Sequence, residues 1–351
     1  MKAYESVLAL FIAILLLPGG LWGQEPNYPD VTSGVEPADF DRVGQSGWQF
    51  LKIHTDARIA GMGGIASAAS YGSAAAALYN PASTADIEDL SVSLSKMTWL
   101  VETDYNSGAV VKNFQKWGYI GINFIYVDYG DMLRTENQAE FEDGIYTGRS
   151  NVALDLGTFG ASDLALGLSY ARQITDRLQV GGNLRYVSET LDNATTGNWS
   201  LDIGTVYYTR LKSFRIAMVG RNFGPDATFA EYNDRIGFPA VKVKMPMSFT
   251  LGGAVDILEG EDDSPHLWTV AAEFIHPNDG PEKVNLGTEY NLMNLLTVRG
   301  GYRFNYDEEG VTLGGGLRLV TSSLALYFNY AYIDFGRFDS IHMFTLGFGM
   351  E

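Results

Sequence analysis

The stretch DLALGLSYARQI, residues 163–174, alternates large apolar side chains with small ones. Leu164, Leu166 and Leu168 share one face of an extended chain, while Ala165 and Gly167 share the other. A repeat of two residues indicates a β-strand, because successive side chains of a strand point to opposite faces. The second face is small rather than rich in lysine, glutamate and threonine. That pattern favours the crowded interior of a membrane barrel over the solvated side of a soluble sheet.

The same repeat of two recurs along the chain from residue 91 to residue 350. We count about fourteen such segments, an even number, as in bacterial outer-membrane barrels. The predicted strands cover residues 91–97, 104–112, 118–129, 163–174, 178–190, 197–209, 213–222, 245–258, 266–277, 283–291, 295–304, 311–320, 323–333 and 340–350. The predicted fold class is therefore all-β, a transmembrane antiparallel β-barrel.

The connections between these segments alternate in length. Tight turns at residues 114–117, 175–177, 211–213, 293–294 and 321–322 fall on one side of the barrel, and the long connections 130–162 and 223–244 fall on the other. Short periplasmic turns and long external loops are typical of this class. The acidic connection 259–265 is assigned to the periplasmic side, although it is longer than the others there.

Composition agrees with an exported membrane protein. The chain has 351 residues, a net charge of −18, no cysteine, 20 tyrosines and 40 glycines. The acidic balance argues against nucleic acid as a partner, because phosphates attract lysine and arginine. An apolar run at residues 7–17 is too short to span a bilayer and suits a signal peptide, with an N-terminal membrane anchor as the alternative.

Four regions follow from these observations. Residues 1–23 are predicted to be a signal peptide and residues 24–46 a polar leader. Residues 47–90 are predicted to form a hatch or plug inside the barrel, and residues 91–351 form the barrel itself. The hatch contains residues 61–83, which carry no charge and are mostly glycine, alanine and serine. Small neutral residues pack closely against a glycine-lined wall, where an unpaired charge would be costly.

The sequences TDARIAGMGGIASAAS (residues 55–70) and AAALYNPAS (residues 75–83) carry a family resemblance. Together they resemble the N-terminal signature of the PorV/PorQ outer-membrane proteins, whose wider relatives are the FadL-like fatty acid transporters. The resemblance implies a FadL-like fold whose hatch includes Arg58, Gly61, Met62, Gly63, Gly64, Asn80 and Pro81. The alanine run at residues 74–77 departs from the acidic residues that relatives often show there.

Asn80-Pro81 has two interpretations. Proline restricts the residue before it and cannot continue a hydrogen-bond ladder, so the pair is expected to stop a helix or make a turn. The alternative is a role in gating or in ligand binding.

Four arginines and two aspartates fall on predicted lumen faces: Arg185, Arg215, Arg299, Arg303, Asp202 and Asp256. They are expected to pair across the interior, or alternatively to line an aqueous path. The histidines at 54, 266, 276 and 342 lack metal-ligand spacing. The acidic clusters at 140–143, 259–263 and 307–309 are expected to be solvated loops, with calcium binding as the alternative. No cofactor or metal is expected.

Three functions are compatible with these residues. The resemblance implies a component of type IX protein secretion that binds secreted cargo or machinery subunits. The alternative is a FadL-like channel that takes up hydrophobic small molecules, and a third possibility is a soluble, secreted β-sandwich used for adhesion. An enzyme is not expected, because no nucleophile and base fall in a catalytic pattern. The predicted location is the bacterial outer membrane, with its lipid as the surrounding partner.

Overall fold

The structure is a computed structural model that describes residues 46–69, 72–142, 145–153, 156–228, 242–258, 266–321 and 324–350. The predicted signal peptide, the leader up to residue 45 and the acidic connection 259–265 lie outside the described residues.

Eighteen strands occur in the described residues. They are β1 (Leu90–Thr98), β2 (Asp104–Asn113), β3 (Tyr119–Leu133), β4 (Glu136–Glu142), β5 (Ile145–Ala153), β6 (Thr158–Gln173), β7 (Leu178–Leu191), β8 (Ala194–Tyr208), β9 (Arg215–Phe223), β10 (Ala227–Thr228), β11 (Lys242–Val243), β12 (Ser248–Leu258), β13 (His266–Pro277), β14 (Lys283–Leu292), β15 (Leu296–Phe304), β16 (Val311–Val320), β17 (Leu324–Ile333) and β18 (Ile341–Met350). Two pairs, β4–β5 and β10–β11, form separate two-stranded sheets.

The other fourteen strands form one closed barrel, in which each strand pairs antiparallel with its neighbours and β1 pairs with β18. The predicted fold class and strand number are confirmed. A soluble β-sandwich is wrong, because the sheet closes on itself and leaves no second sheet to pack against.

Helical structure in the described residues is short. It comprises one α-helix, α1 (Ala57–Gly61), and 3-10 helices at Gln49–Lys52, Ala74–Leu78, Pro81–Asp86, Leu100–Glu102 and Gln115–Trp117. None of the helices in this part of the chain is long and apolar enough to cross a bilayer.

The faces of the strands follow the repeat of two. In β6, Leu166 and Leu168 are 50% and 56% exposed on the outer face, whereas Ala165 is 1% exposed on the inner face. The same contrast holds in β18, where Leu346 is 59% exposed and Thr345 is 3% exposed. An apolar band around a closed barrel is far larger than a water-bathed surface tolerates, and it suits acyl chains.

The two ends of the barrel differ in their connections. We call one the loop end, because β3 and β9 end there and are followed by the β4–β5 and β10–β11 pairs. The other is the turn end, where β14 and β15 are joined by a turn with Met293 and Asn294 at positive φ, 55° and 51°. Two consecutive positive φ angles match the right-handed twist of the flanking strands.

Residues 46–89, which we call the inner segment, contact strands on opposite sides of the ring. The α1 helix contacts β15 to β18, and the 3-10 helix Pro81–Asp86 contacts β6 to β8. The segment starts at the loop end, where the Gly47 amide donates to the carbonyl of Lys244 at 3.0 Å, and it enters β1 at the turn end. A segment with such contacts lies within the ring; its role as a hatch stays a prediction.

Candidate functional site

The Gly-Met-Gly-Gly turn of the inner segment packs backbone to backbone against the wall. Gly63 and Gly64 have φ angles of 74° and 85°, a region that favours glycine. The wall opposite is also glycine. A Cβ atom on Gly301 would lie 2.2 Å from the Gly63 nitrogen, and one on Gly287 would lie 2.3 Å from the carbonyl oxygen of Met62. Both surfaces therefore have to lack side chains at this contact.

Asn80 and Pro81 connect two 3-10 helices. Asn80 is fully buried, and its Nδ2 donates to the carbonyl of Ser67 at 2.8 Å. Its Oδ1 accepts from the Ala82 amide at 3.1 Å, which caps the helix that Pro81 begins. The pair thus starts a helix as well as following one, and this local role explains both residue types. A gating role stays a hypothesis.

Three of the four predicted lumen arginines donate hydrogen bonds to the inner segment. Arg185 is fully buried, and its Nη2 lies 2.7 Å from Oδ2 of Asp202, which is also fully buried. The same Nη2 donates to the carbonyl of Leu78 at 3.3 Å. A buried ion pair keeps its charges hydrogen-bonded, because a lone buried charge is costly.

Two further arginines repeat this arrangement. Arg215 pairs with Asp256 at 2.9 Å, and its Nε donates to the carbonyl of Ala68 at 2.9 Å. Arg303 Nε donates to the carbonyl of Gly63 at 3.2 Å. The wall therefore satisfies carbonyl groups that the short helices of the inner segment leave open.

Arg58 and Arg299 meet at one carboxylate. Glu289 accepts from Arg58 Nε and Nη2 at 3.0 and 2.7 Å and from Arg299 Nε at 2.5 Å, while Arg299 Nη1 donates to Asn329 at 2.9 Å. These residues line a cavity of about 310 Å³ at the turn end, which we call the turn-side cavity. Its two central cations share a buried acid in a bidentate arrangement.

A second cavity of about 330 Å³, the loop-side cavity, lies between the inner segment and the loop ends of the strands. Four of its lining residues carry aromatic rings. His54 stacks on Tyr79 with ring centroids 5.5 Å apart, and Trp99 and Tyr306 also face the space. Burial raises the pKa of the Tyr306 hydroxyl to about 12, so this ring stays neutral. Planar apolar bodies pack well between such rings.

The loop-side cavity also carries charge. Six charged side chains line it: the cations Lys52, Arg221, Lys283 and Arg303 and the carboxylates Glu273 and Glu309. Burial, together with the charges of Arg303, Arg221 and Lys283, lowers the pKa of His54 well below its ordinary value. His54 is therefore neutral at pH 7, and cations exceed anions in this cavity.

Two of these cations have a carboxylate of their own. Lys52 lies 2.9 Å from Asp279, and Arg303 pairs with Glu309. The acidic cluster at 307–309 is thus engaged by basic residues rather than only solvated, because Glu308 also pairs with Arg337 at 2.9 Å. Within the described ranges, His, Cys, Asp and Glu form no group of three placed to hold a metal ion.

Sequence reasoning missed Glu273, Glu289, Arg221 and Lys283. The sequence did indicate that these residues face the lumen, because each lies two positions away from another inner-face residue of its strand. Arg221 follows Arg215, Ala217 and Val219 on β9. The pattern places such residues on the lumen face but does not show which of them meet, since that depends on the path of the inner segment.

Comparison with known proteins gives matches among structures only. No family model matches this sequence, and no curated protein matches it. A solved structure of the monoaromatic hydrocarbon channel CymD shares 14% identity, with a TM-score of 0.54 over 85% of this chain and 97% of that one. The toluene transporter TodX of Pseudomonas putida shares 14% identity, with a TM-score of 0.52 over 83% and 96% of the two chains. The chain has the fold of these channels.

The expected type IX secretion component is therefore wrong. CymD and TodX, whose fold this chain shares, are named for hydrocarbons and toluene, and the PorV/PorQ family itself is not shown. The physical reason lies in the motif that suggested it. Gly63 and Gly64 meet a steric demand of backbone packing, and Asn80 and Pro81 meet a capping demand. Such a motif reports how an inner segment packs in a barrel rather than which partner the barrel serves.

Proposed function

We propose that this protein is an outer-membrane channel for small molecules with a hydrophobic body. Support comes from the fold shared with hydrocarbon channels and from the apolar outer face of the barrel, which suits lipid. The proposal includes export through residues 1–23 and a hatch role for the inner segment.

The loop-side cavity is the observation that carries this function. Its volume of about 330 Å³ falls in the range of small-molecule sites. Its walls combine aromatic rings with aliphatic side chains such as Ile53, Ile275 and Ile333. Burying an apolar body against such walls contributes about 25 cal/mol for each Å² removed from water.

The inner segment separates this cavity from the turn-side cavity. The Gly-Met-Gly-Gly turn and the Asn80 cap lie against the wall without room for a side chain, so the passage is interrupted where they pack. The predicted lumen ion pairs hold the segment in place. We assign them this anchoring role in the channel, in preference to lining an aqueous path.

Binding to the purified protein in nanodiscs tests the function. Equilibrium dialysis with 3-phenylpropan-1-ol, corrected with empty nanodiscs, should show one saturable site. Ser248 lines the loop-side cavity, and the adjacent Phe249 is exposed on the outer face. Ser248→Trp should fill the cavity and abolish that binding, whereas Phe249→Trp should preserve it. Binding that is not saturable, or that survives Ser248→Trp as well as it survives Phe249→Trp, would refute the function.

A further inference from the structure

We propose that the loop-side cavity selects small aromatic carboxylates over neutral aromatic molecules of the same shape. This inference rests on the proposed function and names the class of substrate that the site prefers. It departs from the neutral hydrocarbons named for the structural neighbours.

Charge is the first observation. Four cations and two carboxylates line the cavity, although the whole chain carries a net charge of −18. Composition alone does not explain this excess of cations in the cavity, because the chain as a whole is acidic. Lys52 and Arg303 have partners in Asp279 and Glu309, whereas Arg221 and Lys283 form no ion pair with any carboxylate in the described part of the chain.

Arg221 is held by neutral groups. Its Nη2 donates to the carbonyls of Leu51 and Leu78 at 3.2 and 3.4 Å, and its guanidinium carbon lies 5.3 Å from the centre of the Tyr79 ring. Its Nε is buried without a hydrogen-bond partner among the described residues. None of the described carboxylates lies within ion-pair distance of Arg221, and a carboxylate bound beside it offsets part of the cost of its burial.

Glu273 supplies one of the two negative charges of the cavity and is already engaged by the inner segment. Its Oε2 accepts from the Ala66 amide at 3.1 Å, the Ser67 amide at 2.9 Å and the Ser67 hydroxyl at 2.6 Å. These three donors already stabilise the carboxylate and hold it on the inner segment.

Lys283 and Arg303 frame an aromatic ring. Lys283 Nζ lies 4.1 Å from the centre of Tyr306, and Arg303 Cζ lies 5.8 Å from it. Arg303 Nη2 is a second buried donor without a partner among the described residues, and Arg303 is only 4% exposed. The cavity thus places cationic side chains next to flat rings. A ring that bears a carboxylate satisfies both kinds of group at once.

Three probes with the same body test the charge preference. The anion 3-phenylpropanoate, the neutral 3-phenylpropan-1-ol and the cation 3-phenylpropylammonium are measured by equilibrium dialysis against the protein in uncharged nanodiscs at pH 7. We expect the anion to bind at least tenfold more tightly than the alcohol and the cation to bind most weakly. Raising the salt concentration should weaken binding of the anion more than binding of the alcohol, because salt screens the charge of the anion.

A pair of variants locates the effect. Lys283→Gln should reduce the ratio of the affinities for anion and alcohol severalfold, because it removes one cation of the cavity that has no ion pair among the described residues. Lys116→Gln removes an equal charge from an exposed turn at the other end of the barrel and should leave the difference intact. Arg221→Gln is the second cavity variant, and a fluorescence spectrum of its tryptophans checks that it is folded.

The outcomes separate this inference from the proposed function. If the alcohol binds as tightly as the anion, the charge preference is refuted and the channel function stands. If none of the three probes binds saturably, both are refuted. If Lys283→Gln and Lys116→Gln have equal effects, the preference comes from general surface charge and the inference fails.

Discussion

The two cavities have nearly equal volumes, about 330 and 310 Å³, but opposite electrostatic arrangements. In the turn-side cavity, Arg58 and Arg299 bind one buried acid, Glu289, and the charges hold the inner segment to the wall. In the loop-side cavity, Arg221 and Lys283 have no carboxylate partner within the described residues. The difference teaches that charge inside this barrel is arranged in two ways. Closed networks join the inner segment to the wall, and we propose that the cations of the loop-side cavity serve a ligand.

Breaking the turn-side network should have the largest effect on stability. Glu289→Gln removes the shared partner of two cations, and breaking a buried pair in this way costs about 3–5 kcal/mol. The urea midpoint of unfolding in lipid vesicles, followed by tryptophan fluorescence, measures the loss. Glu282→Gln is the matched control, because Glu282 is 57% exposed and faces an exposed histidine. Equal midpoints for the two variants would contradict the anchoring role of the turn-side network.

Disturbing the contact of the Gly-Met-Gly-Gly turn with the wall, which separates the two cavities, should have a smaller effect on stability. In Gly301→Ala the new methyl group would lie 2.2 Å from the Gly63 nitrogen, so the inner segment or the wall has to move. Overpacking of this kind costs about 1–3 kcal/mol, and ion conductance through a planar bilayer should rise as the cavities join. Gly300→Ala on the same strand is the control, because nothing lies within 4 Å of its Cβ position. Unchanged conductance in Gly301→Ala would show that the close contact does not divide the barrel.

The contact of Lys52 and Gln49 with Asp279 at the loop end should have the smallest effect on stability, and this effect should depend on pH. Burial alone would raise the pKa of Asp279, but hydrogen bonds from Gln49 and Lys52 and the Lys52 charge lower it below the ordinary value. Because the folded pKa lies below the unfolded one, this stabilisation is complete above the unfolded value of about 3.9 and is lost as pH falls through the folded value.

Asp279→Asn should therefore lower stability by about 1 kcal/mol at pH 7, since Lys52 is partly exposed and its pairing is screened. The difference from wild type should shrink once pH falls below about 3.9. The urea midpoints of unfolding of the variant and the wild type, determined at several pH values between neutral and acidic, measure this difference. An offset that stays constant over the whole range would show that Asp279 acts through packing rather than charge.

Local periodicity predicted the barrel because each strand satisfies the same simple rule. Leu166 faces outward and Ala165 inward whatever the neighbouring strand contains, so the strand number could be counted from the sequence. The connection 130–162 was harder. It contains the end of β3, the β4–β5 hairpin and the start of β6, and hairpins outside the barrel lack the contrast between lipid and lumen that marks the wall.

The candidate site was less accessible to sequence reasoning. Arg185 and Asp202 were expected on lumen faces, and the structure brings them to 2.7 Å. The contacts of Glu289 with Arg58 and of Glu273 with Ser67 join residues more than two hundred positions apart. Such contacts depend on how the inner segment crosses the barrel, which no local repeat encodes. The steric match between Gly63 and Gly301 has the same origin.

The inner segment continues into the wall without an intervening linker. Residue 89 is followed directly by Leu90, the first residue of β1, and β1 is bonded on both sides to β2 and β18. One end of the segment is therefore covalently fixed to the seam that shuts the cylinder. A displacement of the whole segment would therefore have to pivot about Leu90 and could not release it as a loose body.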